Sequence, residues 1–294
     1  MMAFTSKQIA LTFTLGQGSF GESGANQVTV SGLRISAKIV TSGSQSMCEC
    51  QLRIFGLTPT IYNTLTSIYS TSQATQRNTV SVSAGDSAAS MAVVFIGQIT
   101  LAQIDLNSQP DSVMNIIAQT ALLQALAPIP ATSYPNGISV ATAMQSLATK
   151  MGFNFVNSGV TALLPKPTYL PGTAWQQCLK ILETAVINWN GCANGQMVIW
   201  PKNSPRTDIT KIPTVSYLDN MIGYPSYSTL GIGIKCQYNP AIQYGGQVKI
   251  ISSLKIANLN GLWWAYHVIH TLESNMPEGQ WMTEFQGQNV QALS

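Results

Sequence analysis

The sequence predicts a mainly β protein in which two related antiparallel β-barrel domains flank a small α+β domain. Apolar and polar residues alternate along most of the first hundred residues, helical spacing replaces the alternation in the middle, and alternation returns towards the C-terminus. Repeated alternation interrupted by glycine-bearing turns is typical of antiparallel barrels and sandwiches. We therefore place a first barrel at residues 1–105, an α+β domain at 106–205 and a second barrel at 206–294.

The first domain carries five or six predicted strands and one short helix. In CECQLRIFGL, Cys48, Cys50, Leu52 and Ile54 share one side of a strand, and polar residues occupy the other. The helix is predicted in TPTIYNTLTSIYS, where Thr58 precedes a proline at the first helical position. The other strand segments are QIALTFTL, NQVTVSGLRISAKIV, TVSVSAGD and MAVVFIGQITLAQIDL.

The middle domain is predicted to contain three amphipathic helices and a short strand. The first is expected in SQPDSVMNIIAQTALLQAL, where Val113, Ile116 and Ile117 recur at helical spacing and Asp111 marks the start. The second, SVATAMQSLATKMGF, has Ser139 as its N-cap and Gly152 at its C-terminal end. The third helix is predicted in TAWQQCLKILETAVINWNG, and the strand in QMVIWPK.

The C-terminal domain is predicted to contain four strands separated by turn signals. They are GIGIKCQYNP, GQVKIISS, WAYHVIHTLE and QWMTEFQGQNV.

Composition excludes several classes of function. Only 9% of the residues are charged, against about a quarter in ordinary soluble domains. This favours a β-rich extracellular or viral protein, a subunit whose surface is covered by neighbours, or both. The net charge is +3, but the sequence contains no run of lysines or arginines. It therefore lacks the basic cluster that is typical of nucleic-acid-binding proteins. No apolar segment is long enough to span a membrane, and five cysteines without paired spacing indicate reduced, structural thiols.

The two histidines, His267 and His270, are the first candidates for a metal site. Two histidines three residues apart share one face of a helix and could bind one ion there. The surrounding WWAYHVIHTL alternates and is rich in aromatic and β-branched residues, which predicts a strand. On a strand, positions three apart point to opposite faces, so we expect no metal site.

Other chemical candidates also favour structural explanations. Cys48 and Cys50 share a strand face but have no second pair of ligands at a recognisable spacing, and Cys178 lies on the apolar side of a predicted helix. No G-x-S-x-G motif is present. The acids Asp105 and Asp111 are expected to be a turn residue and a helix-start residue. We therefore expect no catalytic residue, no cofactor and no enzyme activity.

Two further segments could carry a ligand. GQGSFGESG contains G-x-G-x-x-G, but it lies between predicted strands with no helix behind it, which excludes a dinucleotide-binding loop. Trp263 and Trp264 are adjacent on a predicted strand, so one is expected to face inwards and the other outwards. We favour an anchor for a protein interface over a platform for a sugar.

The C-terminal region resembles a known family. YNPAIQYGGQV is followed by GLWWAYHVIHTLES and then by GQWMTEF. This order resembles the terminal barrel of bacteriophage tail hub proteins: the contractile-tail baseplate hub, the late tail protein of P2-like phages, and the hub part of type VI secretion spikes. The matching positions are Asn239, Pro240, Gly245, Gly246, Gly261, Tyr266, Val268, Ile269, His270, Leu272, Trp281 and Thr283.

The resemblance implies a homotrimer in which each chain contributes two tube-type barrels to a pseudo-sixfold ring. Such a ring joins the sixfold tail tube to the threefold membrane-piercing spike. Implied partners are the tail tube protein, the spike protein, the tape-measure protein and other baseplate proteins. Genomic DNA is expected to pass through the lumen during ejection without specific binding.

The implied location is the virion tail tip, after synthesis in the host cytoplasm and without stable membrane insertion. Two alternatives remain open at this point. One is a peptidoglycan-binding or peptidoglycan-degrading tail protein, and the other is a type VI secretion spike component.

Overall fold

The chain forms two compact units in a computed structural model. Unit 1 comprises residues 1–40, 48–120 and 269–283, and unit 2 comprises residues 41–47, 121–268 and 284–294. The described residues are 7–21, 24–42, 46–66, 77–86, 90–107, 111–228, 231–253 and 259–289.

Unit 1 is built mainly from antiparallel strands, as the alternation predicts. The order runs β3-β4-β7-β6-β5-β1-β2, and the last part of the long strand β17 lies next to β3. The elements are β1 (Gln8–Thr14), β2 (Gln27–Ser31), β3 (Ile35–Ser42), β4 (Glu49–Phe55), α1 (Pro59–Leu65), β5 (Thr79–Gly85), β6 (Ala92–Asp105) and β7 (Val113–Gln119).

Alternation produces a core on one side of these strands. Leu11 and Phe13 of β1 are buried, as are Cys50, Leu52 and Ile54 of β4. Each such side chain removes enough apolar surface from water to contribute about 1.5–3 kcal/mol. The helix predicted at Thr58 and Pro59 is present as α1, and residues 67–76, into which the predicted segment continues, lie outside the described part.

The first helix predicted for the middle domain is wrong over its first half. Residues Val113–Gln119 form β7, a central strand hydrogen-bonded to β4 on one side and to β6 on the other. Asp111 therefore starts no helix. Asp105 does act as a turn residue, because its Oδ1 accepts a hydrogen bond from the Asn107 backbone N–H at 2.9 Å.

Unit 2 contains the α+β module, and the other two helices predicted for it are confirmed. Its helices are α2 (Leu122–Leu126), α3 (Val140–Met151) and α4 (Ala174–Ala185). Ser139 caps α3 by accepting from the Thr142 N–H at 3.1 Å, and Gly152 ends it in the left-handed conformation. The module's strands are β8 (Thr132–Tyr134), β9 (Asn154–Asn157), β10 (Thr168–Leu170), β11 (Ile187–Trp189) and β12 (Gln196–Pro201).

The module has its own apolar core and a buried polar anchor. Trp175 and Trp189 pack with ring centroids 4.6 Å apart among the buried faces of α3 and α4. Gln177 is fully buried; its Nε2 donates to the carbonyls of Pro130 and Gly172, and its Oε1 accepts from Thr132. One side chain thus satisfies two loop carbonyls and the Thr132 hydroxyl, which would be costly to leave unpaired.

The remainder of unit 2 is a curled sheet with the order β14-β15-β18-β17-β16-β13. All four strands predicted for this region are confirmed, and β13 and β14 are additional. Their bounds are β13 (Thr214–Ser216), β14 (Met221–Ser228), β15 (Gly231–Gln237), β16 (Gln247–Ile251), β17 (Gly261–Ser274) and β18 (Trp281–Asn289).

In unit 2, the strands at the two ends of the order, β13 and β14, are consecutive in the chain and are joined by residues 217–220. In unit 1, the edge strand β2 is joined by residues 32–34 to β3, which lies at the far side of the order beside β17. Each short connection holds its two strands close together, so each sheet must curl. Among the described strands no ladder joins β2 to β3 or β13 to β14, so neither sheet is a closed barrel there.

The prediction of a mainly β protein is therefore confirmed, whereas the division at residues 105 and 205 stays a prediction. Among the described helices, none has the length and apolar character needed to cross a membrane.

Candidate assembly surface

The strand β14 presents an unusual surface at the edge of the unit 2 sheet. It pairs with β15 alone among the described strands. Five large apolar or aromatic side chains are exposed along the 217–227 segment, with Leu218 at 78% and Tyr224 at 74%; they are Tyr217, Leu218, Ile222, Tyr224 and Tyr227. The single charged residue in this segment is Asp219. Tyrosine enrichment with depleted charge is the composition of an interface core.

Local hydrogen bonds hold this segment in one conformation. Asn220 Oδ1 accepts from the Ser216 N–H at 2.9 Å, and its Nδ2 donates to the Thr214 carbonyl at 3.1 Å. Further along, a bulge between Ile222 and Ser226 contains Gly223, with φ +73°, and the buried Pro225. A bulge and a proline prevent open-ended strand addition, so the segment suits a defined partner.

The edge strand of unit 1, β2, also lacks the charges that commonly protect an open sheet edge. Its sequence QVTVS contains no charge, and it pairs with β1 alone among the described strands. Its polar side chains contact β1, where Thr12 and Thr29 share a hydroxyl hydrogen bond of 2.9 Å. Monomeric proteins commonly protect such edges with lysines or other charges. Both described edge strands are therefore free of charged side chains.

The family-motif positions fall into separate structural groups. Asn239 begins a turn, where its Oδ1 accepts from the Ala241 N–H at 3.0 Å, and Pro240 is the next residue. Two backbone hydrogen bonds attach this loop to β17. The Gly245 N–H donates to the Ala265 carbonyl, and the Ala265 N–H donates to the Gly246 carbonyl.

The remaining motif positions lie on β17 and β18. Gly261 begins β17, Tyr266 is half-buried, and Val268 belongs to the apolar core of unit 2. Trp281 begins β18, where the Lys7 ammonium lies 5.9 Å from its ring centroid.

The two histidines lie on β17, as predicted, and their faces differ. Buried and less buried residues alternate from Val268 to Ser274, which puts His270 on the buried side and His267 on the other. The His270 Nδ1 lies 2.9 Å from the Thr283 Oγ1, and Thr283 has no exposed surface. The motif positions His270 and Thr283 therefore form a buried polar pair between β17 and β18.

The expectation for the tryptophan pair was wrong in one respect. Trp263 and Trp264 both lie in buried positions, although adjacent residues of a strand point to opposite sides. Trp263 joins the unit 2 core, and its Nε1 donates to the Leu259 carbonyl at 2.9 Å. Trp264 donates to Gln288 at 3.0 Å. Neither ring is an exposed interface anchor.

Burial of His270 predicts an acid-sensitive step in stability. Burial lowers the pKa of His270 from 6.5 to about 4. The unfolded chain takes up this proton more readily than the folded protein does. The contribution of His270 to the free energy of unfolding is therefore fully present above about pH 6.5. As the pH falls from 6.5 to 4, the free energy of unfolding decreases by about 3 kcal/mol. We expect His270→Asn, which keeps a polar partner for Thr283 but does not titrate, to flatten this part of the curve. Urea unfolding of both proteins from pH 4 to 8 measures it, and parallel curves would contradict the prediction.

The exposed 217–227 segment is the part of the candidate surface that sequence patterns did not identify. A signal was present: TVSYLDNMIGYPSYS holds three tyrosines and one charge over fifteen residues. A second missed feature is the contact between Trp200 and Tyr244, whose ring centroids lie 5.4 Å apart.

Solved structures with the same fold are phage tail and secretion proteins. A tail protein from Neisseria meningitidis MC58 aligns with a TM-score of 0.64 and 10% identity over 95% of this chain and 96% of its own. The 43 kDa tail protein of prophage MuSo2 from Shewanella oneidensis aligns with a TM-score of 0.63 and 9% identity over 98% of this chain and 99% of its own. The E. coli c3393 protein aligns with a TM-score of 0.55 and 9% identity over 87% of this chain and 73% of its own. It is a component of the type VI secretion system with structural similarity to T4 tail proteins.

At these identities the structural comparisons establish the fold alone. A search of curated protein sequences finds no match. The resemblance to tail hub proteins is confirmed by a sequence model of one family, which covers most of the chain. That model describes the baseplate hub gp41 family and matches residues 8–278, so the protein belongs to this family.

Proposed function

We propose that the protein is the structural hub of a phage tail baseplate, working as a homotrimeric, pseudo-sixfold ring between the tail tube and the membrane-piercing spike. Its contribution is geometric. Each chain supplies two tube-type barrels, so three chains supply six to the tube while keeping threefold symmetry for the spike.

The observation that carries this proposal is the pair of uncharged sheet edges in a hub-family protein. Strands β2 and β14 are both uncharged, and the 217–227 segment adds exposed tyrosines and aliphatic residues. The open edge of β2 and the exposed apolar side chains of the 217–227 segment are both liabilities in a free subunit. Contact with neighbouring copies removes these liabilities and builds a ring.

The curled sheets support the barrel part of the proposal. In unit 2 the end strands β13 and β14 follow one another in the chain, and in unit 1 the edge strand β2 is followed by β3 from the far side of the order. Closure around a lumen then needs little rearrangement. The α+β module, with its separate core around Trp189, lies outside the ring in this proposal and contacts other baseplate proteins.

The ring would form the channel through which the tape-measure protein and then the genomic DNA leave the particle. A conduit must not retain its cargo. The low charge of the chain and its lack of a basic run suit this task, because neutralising phosphates produces strong binding. We propose no enzyme activity, a location in the virion tail tip, and no stable insertion into the membrane.

Sedimentation equilibrium of the purified protein and cryo-EM of the assembled tail tip test this proposal. We expect a mass of three subunits and density for three chains between tube and spike. A stable monomer or a twofold assembly would contradict it. Pull-down on purified peptidoglycan with a zymogram tests the alternative; binding or lysis that a single acidic substitution abolishes would support an envelope-active protein instead.

A further inference from the structure

Unit 2 contains a pocket of about 370 Å³ beside β12 and β17. Four aromatic side chains line it, together with amide side chains and one lysine. The volume is at the lower end of the range for ligand sites in proteins. The aromatic residues are Trp200, Tyr244, Trp264 and Tyr266.

Two of these side chains carry hydrogen-bonding atoms that have no partner. The Trp200 Nε1 and the Tyr266 hydroxyl are both shielded from solvent and make no hydrogen bond within the described part of the chain. Trp200 is only 1% exposed. A buried donor without an acceptor is costly and rare in native proteins, so both atoms indicate a group that arrives from outside.

Two groups at the pocket, the Trp200 indole and the Lys202 ammonium, can only donate hydrogen bonds. The Gln288 Oε1 already accepts from the Trp264 Nε1 at 3.0 Å. Among the described residues, no carboxylate lines the pocket. The nearby Arg206, whose guanidinium lies 5.7 Å from the Trp200 ring, is paired with Asp208.

We propose that this pocket binds a carboxylate presented by a partner polypeptide, either an Asp or Glu side chain or a chain terminus. A carboxylate accepts several hydrogen bonds and donates none, which matches the Trp200 indole and the Lys202 ammonium, and charge strengthens each bond. That the partner is a polypeptide rests on the proposed assembly role. That the pocket binds a carboxylate rests only on the chemistry of its lining residues.

A saccharide fits the same features less well. Sugar hydroxyls are uncharged, so they accept weaker hydrogen bonds than a carboxylate does. Stacking also needs an open aromatic face, and Trp264 is only 7% exposed. Access for a side chain is simpler, because Lys202 and Asn203 are exposed on the turn after β12, and exposed side chains change rotamer rapidly.

Indole N–H resonances of the ¹⁵N-labelled protein test the proposal directly. The probe is N-acetyl-glutamate N-methylamide, and its neutral isostere N-acetyl-glutamine N-methylamide is the matched control. We expect saturable downfield movement of the Trp200 resonance with the glutamate probe, and about tenfold weaker binding of the glutamine probe. Acetate at equal ionic strength separates a general anion effect, and N-acetylglucosamine tests the saccharide. The proposal is overturned if the Trp200 resonance responds only to acetate or only to N-acetylglucosamine. It is also overturned if the resonance responds to neither the glutamate probe nor the glutamine probe.

The variant Tyr266→Phe separates a binding role from a structural one. It removes one oxygen that has no partner in the free protein, so we expect an unchanged or raised Tm together with about fivefold weaker binding of the glutamate probe. Tyr169→Phe, which removes an exposed hydroxyl away from the pocket, is the matched control and should change neither. A lowered Tm with unchanged binding would show that the hydroxyl is structural and overturn its role here.

The titration also separates this inference from the assembly proposal. A trimer that ignores the glutamate probe refutes the pocket and leaves the hub role intact. A stable monomer that binds the probe refutes the trimer and leaves the carboxylate site intact.

Discussion

Replacing Leu218 and Tyr224 together by aspartate is expected to convert the proposed trimer into monomers. Both side chains are more than 70% exposed in the isolated chain, so the folded subunit should tolerate the change with little loss of stability. In an interface, each substitution removes an apolar anchor and buries an unpaired charge. A loss of about 2 kcal/mol or more per site corresponds to roughly thirtyfold in affinity.

Sedimentation velocity over a range of protein concentrations measures this effect, and thermal unfolding by circular dichroism checks the fold. The matched control is Leu163→Asp with Tyr169→Asp in the α+β module, which changes the same residue types at 73% and 65% exposure. The control is expected to remain trimeric. If the Leu218/Tyr224 variant sediments like the wild type, the 217–227 segment is not the trimer interface.

Gly245→Ala is expected to destabilise the protein by about 3 kcal/mol or more. Gly245 has φ +80°, a conformation that costs other residues about 1–3 kcal/mol. An added Cβ would also lie 2.5 Å from the Trp200 Cζ2 and 2.9 Å from the Arg206 Cδ. Both neighbours are buried, so they cannot simply move aside, and overpacking adds a further penalty of about 1–3 kcal/mol.

Gly152→Ala provides the comparison that isolates the packing contribution. Gly152 has a similar φ of +76°, but a Cβ added there would have no atom within 4 Å, so its variant should show only the backbone cost, about 1 kcal/mol. Urea unfolding of the two variants measures the difference. Equal losses would indicate that the contact of Gly245 with Trp200 is unimportant.

Local alternation proved sufficient to predict most strands, because β1, β4 and β15 each have one buried face. It failed at Val113–Gln119, where the strand is central and apolar residues are almost continuous. Short apolar runs of this kind are compatible with either a strand or a helix. The β-branched Val113, Ile116 and Ile117 were the evidence for a strand, and their spacing of three and four masked it.

The environment of the tryptophan pair could not be predicted from local sequence for a different reason. A prediction from alternating apolar and polar residues assumes that one face of the strand is exposed to solvent. Trp264 is covered because residues from β12 and from the loop carrying Tyr244 lie near it, and such long-range contacts leave no periodic signal. The family motif succeeded where local rules failed, because the positions of Gly245 and His270 are constrained by packing rather than by periodicity.

The buried cysteines have a practical consequence. All five cysteines of the chain are buried, and no disulfide joins any two of them. Burial raises the pKa of the Cys50 and Cys178 thiols far above the usual range and that of Cys236 to about 12, so the reactive thiolate is scarce at neutral pH. A cysteine introduced at Tyr224 would therefore be a selective handle in the otherwise native protein. Photoactivatable cross-linkers attached there could identify, residue by residue, whatever surface this edge meets in an assembled particle.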